Sequence, residues 1–340
     1  MINRQFGWLR RVLPACIAIF AAAQAVAAQQ APALDMTPVK PESVGFSSER
    51  LERLHALIQD EVNQKELAGG VTILARHGKV LDYHVYGQRD MATGAAMTKD
   101  TIFRDYSMTK PVTGVAMMIL YEEGKWLPSD PISKFIPEFA HLKVFNGVDA
   151  NGKMILADPD HAPTMRELMT HTAGFTYGNG NTLADKMYGE LKVRDAKNLQ
   201  EMIDRLAQIP LIYQPGKGWI YSMSMDIQGD IVEKLSGQSL PDFMRDHIFT
   251  PLGMRDAGFF VPEDKRTRFA ANYHYDTQLG QLVANATSGG LPVDYATQPA
   301  APSGGGGLVS TAEDYYRFAQ MLAHGGELNG ARILAPRRLS

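Results

Sequence analysis

Tyr106-Ser107-Met108-Thr109-Lys110-Pro111 sets a hydroxyl and an amine three residues apart, just ahead of the apolar run Val112 to Leu120. That run predicts a helix ending at Glu122-Glu123-Gly124, with Ser107 at or near its N-cap. Pro111 falls in the first turn, where a missing N–H costs nothing. Residues i and i+3 share a helix face, about 5–6 Å apart at Cβ. Lys110 therefore reaches the Ser107 hydroxyl and can take its proton, while the helix N-terminus favours negative charge developing there. The pattern points to a serine nucleophile. Taken alone, it also fits a capping serine followed by a solvated lysine.

A second group is Gly218-Trp219-Ile220-Tyr221-Ser222-Met223-Ser224-Met225-Asp226. Tyr221, just before a capped helix, has a fixed place and a phenol that donates or accepts a proton. The other reading is a tyrosine packed at a helix entrance.

The elements that must position these groups are legible in outline. Ser47 and Ser48 offer a cap to a helix running to about Gln64, with Leu51, Leu54, Leu57 and Ile58 on one face. Val71–Arg76 and Val80–Tyr86 read as a hairpin around His77-Gly78-Lys79. A helix followed by an antiparallel pair argues for an α+β fold. Further helices are expected over Thr164–Thr170, Asn198–Gln208, Met225–Leu235 and Leu240–Ile248, with Gly237 and Gly253 as stops. Ser310-Thr311-Ala312-Glu313 reads as a capping box opening a helix through Leu322. Between them, Tyr275 to Gly307 is poor in helix signals.

Arg4, Arg10 and Arg11, the apolar Val12–Ala23 and the small residues Ala25-Val26-Ala27-Ala28 make residues 1–28 a signal peptide by expectation. The apolar stretch is short for a membrane span and Gln24 interrupts it. Its removal takes three arginines and no acid, moving the formal net charge from −3 to −6. The single cysteine, Cys16, would leave with it, so no thiol, disulfide or cysteine metal site is expected in the exported chain. Residues 29–42, rich in Gln, Ala and Pro, are expected to be a disordered leader. Periplasmic and extracellular residence are both compatible with these features.

The 340 residues are 45% hydrophobic and 21% charged, enough for one large domain or two lobes. With a net charge of −3 and no basic stripe, no nucleic-acid partner is expected, nor a membrane once the leader is gone. Neither His-Glu-x-x-His nor Gly-x-Ser-x-Gly occurs, which argues against a zincin and an α/β-hydrolase elbow. No metal and no cofactor are expected. The four glycines from Gly304 lack the Lys-Ser/Thr of a phosphate loop and read as a tight, backbone-lined cleft wall.

Phe103-Arg104-Asp105-Tyr106-Ser107-Met108-Thr109-Lys110-Pro111 resembles the active-serine motif of the class C β-lactamase-like superfamily. Tyr221-Ser222 with Asp226 and Gly229 resembles its second motif, and Leu168 to Gly174 is similar to its His-Thr-Ser-Gly turn. Ser303 to Asp314 resembles the glycine-rich stretch before its late helix. The similarity runs from about Val44 to Ser340, and the wording is closest to the family VIII serine carboxylesterases. It implies one catalytic domain over 43–340, with an antiparallel sheet flanked by helices (43–105 and 300–340) beside a helical lobe (106–299). It also implies Ser107 as nucleophile, Lys110 as its base partner and Tyr221 as the group passing a proton to the leaving atom. An ordinary lysine has a pKa near 10.4, so only about one in 10³ is neutral at pH 7. A buried Lys110–Tyr221 pair sharing a proton would poise the serine, so the base role belongs to the pair. His171 is expected to brace the site through hydrogen bonds.

There are two departures from the family pattern. Where class C β-lactamases carry an amide-binding asparagine, this chain has Met223. That speaks against efficient β-lactam hydrolysis and suits a hydrophobic acyl or alcohol group, with Tyr106, Phe175, Tyr177 and Trp219 expected beside it. The third motif, on a late strand supplying one of two oxyanion N–H groups, is expected beyond Ser340, with Ser107's own N–H as the other. His324-Gly325-Gly326 matches that motif loosely and reads as a helix end. The expectation is therefore a C-terminally truncated, exported serine hydrolase acting on small-molecule esters or amides. Small carboxylic esters are favoured, through an acyl-enzyme on Ser107. A β-lactamase, a D-amino-acid peptidase, an acyl transferase and a non-catalytic binding protein on this fold are the alternatives.

Overall fold

The computed structural model describes residues 34–285 and 295–336. The expected signal peptide and Cys16 lie outside the described residues. So does the start of the 29–42 leader. The described remainder differs from the disorder expected of it: the Val39 N–H donates to the Val80 carbonyl (2.8 Å), and Pro41–Val44 forms a 3-10 turn. Val39 packs against Val44, Leu51 and Leu81, and this apolar contact holds the segment down.

Helix α1 (Ser48–Asn63) is capped by Ser47, whose Oγ accepts from the Arg50 N–H. It packs on a three-stranded antiparallel sheet, β1 (Gly69–Arg76), β2 (Lys79–Asp90) and β3 (Ala95–Ala96), in that order. The β1–β2 turn is made by His77 and Gly78, both at positive φ (53° and 73°), the geometry that matches strand twist in a two-residue hairpin. Strand β4 (Ile102–Arg104) leads through a 3-10 turn, Tyr106–Met108, into α2 (Thr109–Glu122).

A small hairpin, β5 (Val144–Val148) and β6 (Met154–Ala157), precedes α3 (Met165–Met169), the helix expected over Thr164–Thr170, which opens on a Thr164–Glu167 capping box. Helices α4 (Leu183–Glu190), α5 (Leu199–Leu206), α6 (Ser224–Ser236) and α7 (Leu240–Met244) follow. The helix expected over Leu240–Ile248 changes pitch to a π-turn at Arg245–Phe249 before α8 (Thr250–Leu252). Gly237 and Gly253 cap α6 and α8 in the left-handed region, as their positions predict. Hairpin β7 (Tyr273–Asp276) and β8 (Gln281–Ala284) leads to β9 (Val309–Thr311), α9 (Ala312–Ala323) and the short pair β10 (Glu327–Leu328) and β11 (Ala331–Arg332).

The main core gathers around α2 and α6, where Val112, Met117, Leu120, Ile227 and Ile231 are fully or almost fully buried with Leu168 and Ile203. The arrangement is α+β, with a small antiparallel sheet packed on α1 beside a larger helical core. Among the described residues no helix is long and apolar enough to cross a membrane.

Candidate active site

The antiparallel pairing of β4 with β9 decides where the nucleophile turn begins: Ile102, Phe103 and Arg104 oppose Thr311, Ser310 and Val309. Directly after β4, the Asp105 N–H donates to the Leu308 carbonyl (2.9 Å), and its carboxylate accepts from Ser310 Oγ (2.8 Å). Burial pushes the Asp105 carboxyl up to about 7. Ser310 is thus a strand residue facing Asp105, and the cap of α9 is Thr311, one residue later than the motif suggests.

Tyr106 follows at φ 45°, a conformation that costs a bulky residue of order 1–3 kcal/mol. It is held there partly by Asn272, whose Nδ2 donates to the phenol oxygen (2.8 Å). The turn leaves Ser107 exposed at the mouth of α2. Met108, not Ser107, takes the N-cap position, and Pro111 lies in the first turn as expected.

Lys110 is 7% exposed. Its Nζ donates to Ser107 Oγ (3.1 Å) and to the Gly305 carbonyl (2.6 Å), and lies 4.4 Å from the centre of the Tyr221 ring. The glycine-rich loop is fixed in turn from three sides. Thr113 Oγ1 donates to the Gly304 carbonyl (2.7 Å), and the Leu308 N–H donates to Thr109 Oγ1 (3.1 Å). Asp226 Oδ1 accepts from Ser303 Oγ (2.5 Å) and from the Gly305 N–H (3.1 Å). Burial raises the Asp226 pKa against the opposing pull of these hydrogen bonds and of the Lys110 charge. A Cβ at Gly305 would lie 2.6 Å from Asp226 Oδ2 and 2.9 Å from the Tyr177 hydroxyl, so a side chain there would force the loop or these two groups to shift.

Tyr221 stacks on the His171 ring, with centroids 5.1 Å apart. His171 sits in a left-handed turn (φ 59°) and accepts the Ser222 N–H at Nδ1 (3.2 Å). A backbone donor at Nδ1 fixes that nitrogen as unprotonated. Burial first, then the charge of Lys110, lowers the pKa of the ring, so it stays neutral. The bracing anticipated for His171 is thus made by a hydrogen bond to the residue after Tyr221 and by ring stacking. Tyr177, whose phenol is held protonated by burial, lies 5.7 Å from Tyr221.

Ser107, Lys110 and Tyr221 open together on a cleft of about 860 Å³, within the usual range for small-molecule sites. Tyr106, Tyr177 and Met223 are among the residues that line it. Phe175 and Trp219 do not. Phe175 turns into the core against Phe139 (5.3 Å between rings), and Trp219 is 66% exposed, near the site through the His171 and Tyr221 rings at 6.2 and 6.4 Å between centroids. Proximity in sequence could not tell which way either ring turns. Unanticipated lining residues include Arg194, Lys197, Asn179, Asn272 and Gln298, which come from several connections between the main helices and strands. Asp226, noted only as part of a motif, proves to be the anchor of the glycine loop. His324 is the C-cap of α9, beside Gly78, and is not a cleft residue.

Comparison with known proteins identifies the family of this chain. Residues 54–339 match the Beta-lactamase family. Protein Rv1367c of Mycobacterium tuberculosis is 35% identical over 288 residues, covering 84% of this chain and 70% of that one. Esterase EstB of Burkholderia gladioli is 33% identical over 312 residues, covering 84% and 74%. The solved structure of EstCE1, described as a hydrolase with promiscuous acyltransferase activity, superposes with a TM-score of 0.68. It is 25% identical, with 84% of this chain and 74% of that one covered.

Proposed function

Because this chain belongs to the Beta-lactamase family of serine hydrolases and acyltransferases, with esterases among its relatives, we propose that it cleaves small carboxylic esters through an acyl-enzyme on Ser107. The observation that carries this is the 3.1 Å contact between Lys110 Nζ and an exposed Ser107 Oγ, with Nζ held by the Gly305 carbonyl and facing the Tyr221 ring. The Lys110–Tyr221 pair takes the Ser107 proton as Oγ attacks the ester carbonyl, and Tyr221 returns a proton to the departing alkoxide. Water then repeats the sequence on the acyl-serine, releasing the acid. Met223, apolar and on the cleft wall, supports a hydrophobic acyl or alcohol group over the amide side chain of a β-lactam. Export is supported by the charged and apolar pattern of residues 1–28.

The test is parallel assay of a short-chain p-nitrophenyl ester and a chromogenic cephalosporin, with Ser107→Ala as control. Ester turnover should exceed cephalosporin cleavage and fall by roughly 10⁴-fold or more in the variant. The reverse preference would make the protein a β-lactamase. Failure of a fluorophosphonate to label Ser107 would leave a binding protein. Acyl transfer is a second reading, supported by a cleft of about 860 Å³ that can hold an acyl group and an acceptor together, and by the EstCE1 likeness. Added alcohol would then draw the acyl group away from water.

A further inference from the structure

We propose that His55, Asp82 and His84 form a binding site for one divalent transition-metal ion, with Zn²⁺ the best match to the ligand types. Asp82 and His84 are two apart on β2 and so face the same side of the sheet, and α1 packs on β2 and brings His55 to them. One ligand atom from each of the three lies within 4.8 Å of the other two. Zinc bound at about 2.0–2.2 Å holds its ligands a little over 3 Å apart, so the cluster needs to close by only about 1–1.5 Å. His55 Nε2 and Asp82 Oδ1 already stand 3.0 Å apart. The His84 ring is stacked beside His55 at 4.3 Å, and His84, the exposed member, has the freedom to turn.

The surroundings suit coordination. His55 Nδ1 points toward Glu52 Oε1 (3.9 Å), where the second N–H of a ligating imidazole ordinarily finds a carboxylate. Asp82 Oδ2 accepts from Thr72 Oγ1 (3.4 Å), leaving Oδ1 for a metal. Two imidazoles and one carboxylate, with no thiolate, favour Zn²⁺ over Mg²⁺ or Ca²⁺, and water completes four-coordination. None of these residues lines the catalytic cleft. The ion would tie α1 to β2 and stabilise the sheet lobe without entering the chemistry. No sequence spacing announces the site, because one ligand is on a helix and two are on a strand.

The test uses tag-free full chain, stripped with a chelator and titrated with zinc chloride by calorimetry. One Zn²⁺ per chain should bind with micromolar or tighter affinity, and saturation should raise Tm by about 5 °C. His84→Gln, at an exposed position, should fold normally, weaken binding at least about tenfold and lose the Tm shift. His55→Gln should do the same, whereas His141→Gln, outside the cluster, should bind as the parent does. Absence of binding to the parent chain, or parent-like affinity in His84→Gln, would overturn the proposal.

Discussion

The two walls of the cleft are built on different principles. The wall carrying Ser107, Lys110 and Gly305 is held by Asp105, Thr109, Thr113 and Asp226, each 8% exposed or less. Each makes a side-chain hydrogen bond to a segment far away in the chain: Ser310, Leu308, Gly304 and Ser303 with Gly305. The opposite wall includes Arg194 and Lys197, both exposed. Arg194 stands 5.3 Å from the centre of the Tyr177 ring, and Trp219 lies just outside at 66% exposure. Buried polar pairs resist displacement, because breaking one leaves a desolvated group unpaired. Exposed ring and side-chain contacts are worth far less. The reacting atoms are therefore fixed by the interior, while the substrate-facing loops are left adjustable.

The sharpest way to break this contrast is to disturb the fixed wall without touching the reacting groups. Gly305→Ala forces the loop away from Asp226 and Tyr177 and carries off the carbonyl that holds Lys110. Ester kcat should fall about 10²-fold with KM little changed, as expected for a shift of about 1 Å at a reacting centre. A kcat within a factor of two of the parent would show that the loop does not position the lysine.

A smaller effect should appear in stability. Burial holds the Asp105 carboxyl near 7 and that of Asp314 near 6, both above the unfolded carboxylate range. Between about pH 4 and 7 these two carboxyls therefore bind more protons in the folded chain than in the unfolded one, and the stability they contribute should fall as pH rises through that window. Asp105→Asn keeps an acceptor for Ser310 and removes one of these charges. Thermal melts from pH 4.5 to 8 should show a flatter decline for the variant, and an unchanged slope would count against the buried acid. Smallest of all, Trp219→Ala on the exposed rim should alter Tm by no more than about 1–2 °C and kcat/KM less than threefold. A tenfold loss of kcat/KM would place this ring among the substrate contacts.

The catalytic candidates were easy to see in the sequence because short-range rules govern them. The i, i+3 spacing of Ser107 and Lys110 shares a helix face, and the caps at Ser47, Thr164 and Asn198 start α1, α3 and α5 where local chemistry places them. Helix α4 was not anticipated, although its Thr182–Asp185 capping box is a local signal. Phe175 and Trp219 were misplaced because an aromatic residue near a motif turns inward or outward according to what packs on it.

The order of motifs along the chain carries the fold class, while the serine and lysine at one helix entrance, the hairpin and the caps follow from residues within a few positions of one another. No local rule foretells that Asp226 anchors the glycine loop, that Gly305 holds Lys110, that His171 carries Tyr221, or that His55 meets Asp82 and His84. Those contacts join segments far apart in the chain, and their geometry exists only once the core around α2 and α6 has brought the segments together.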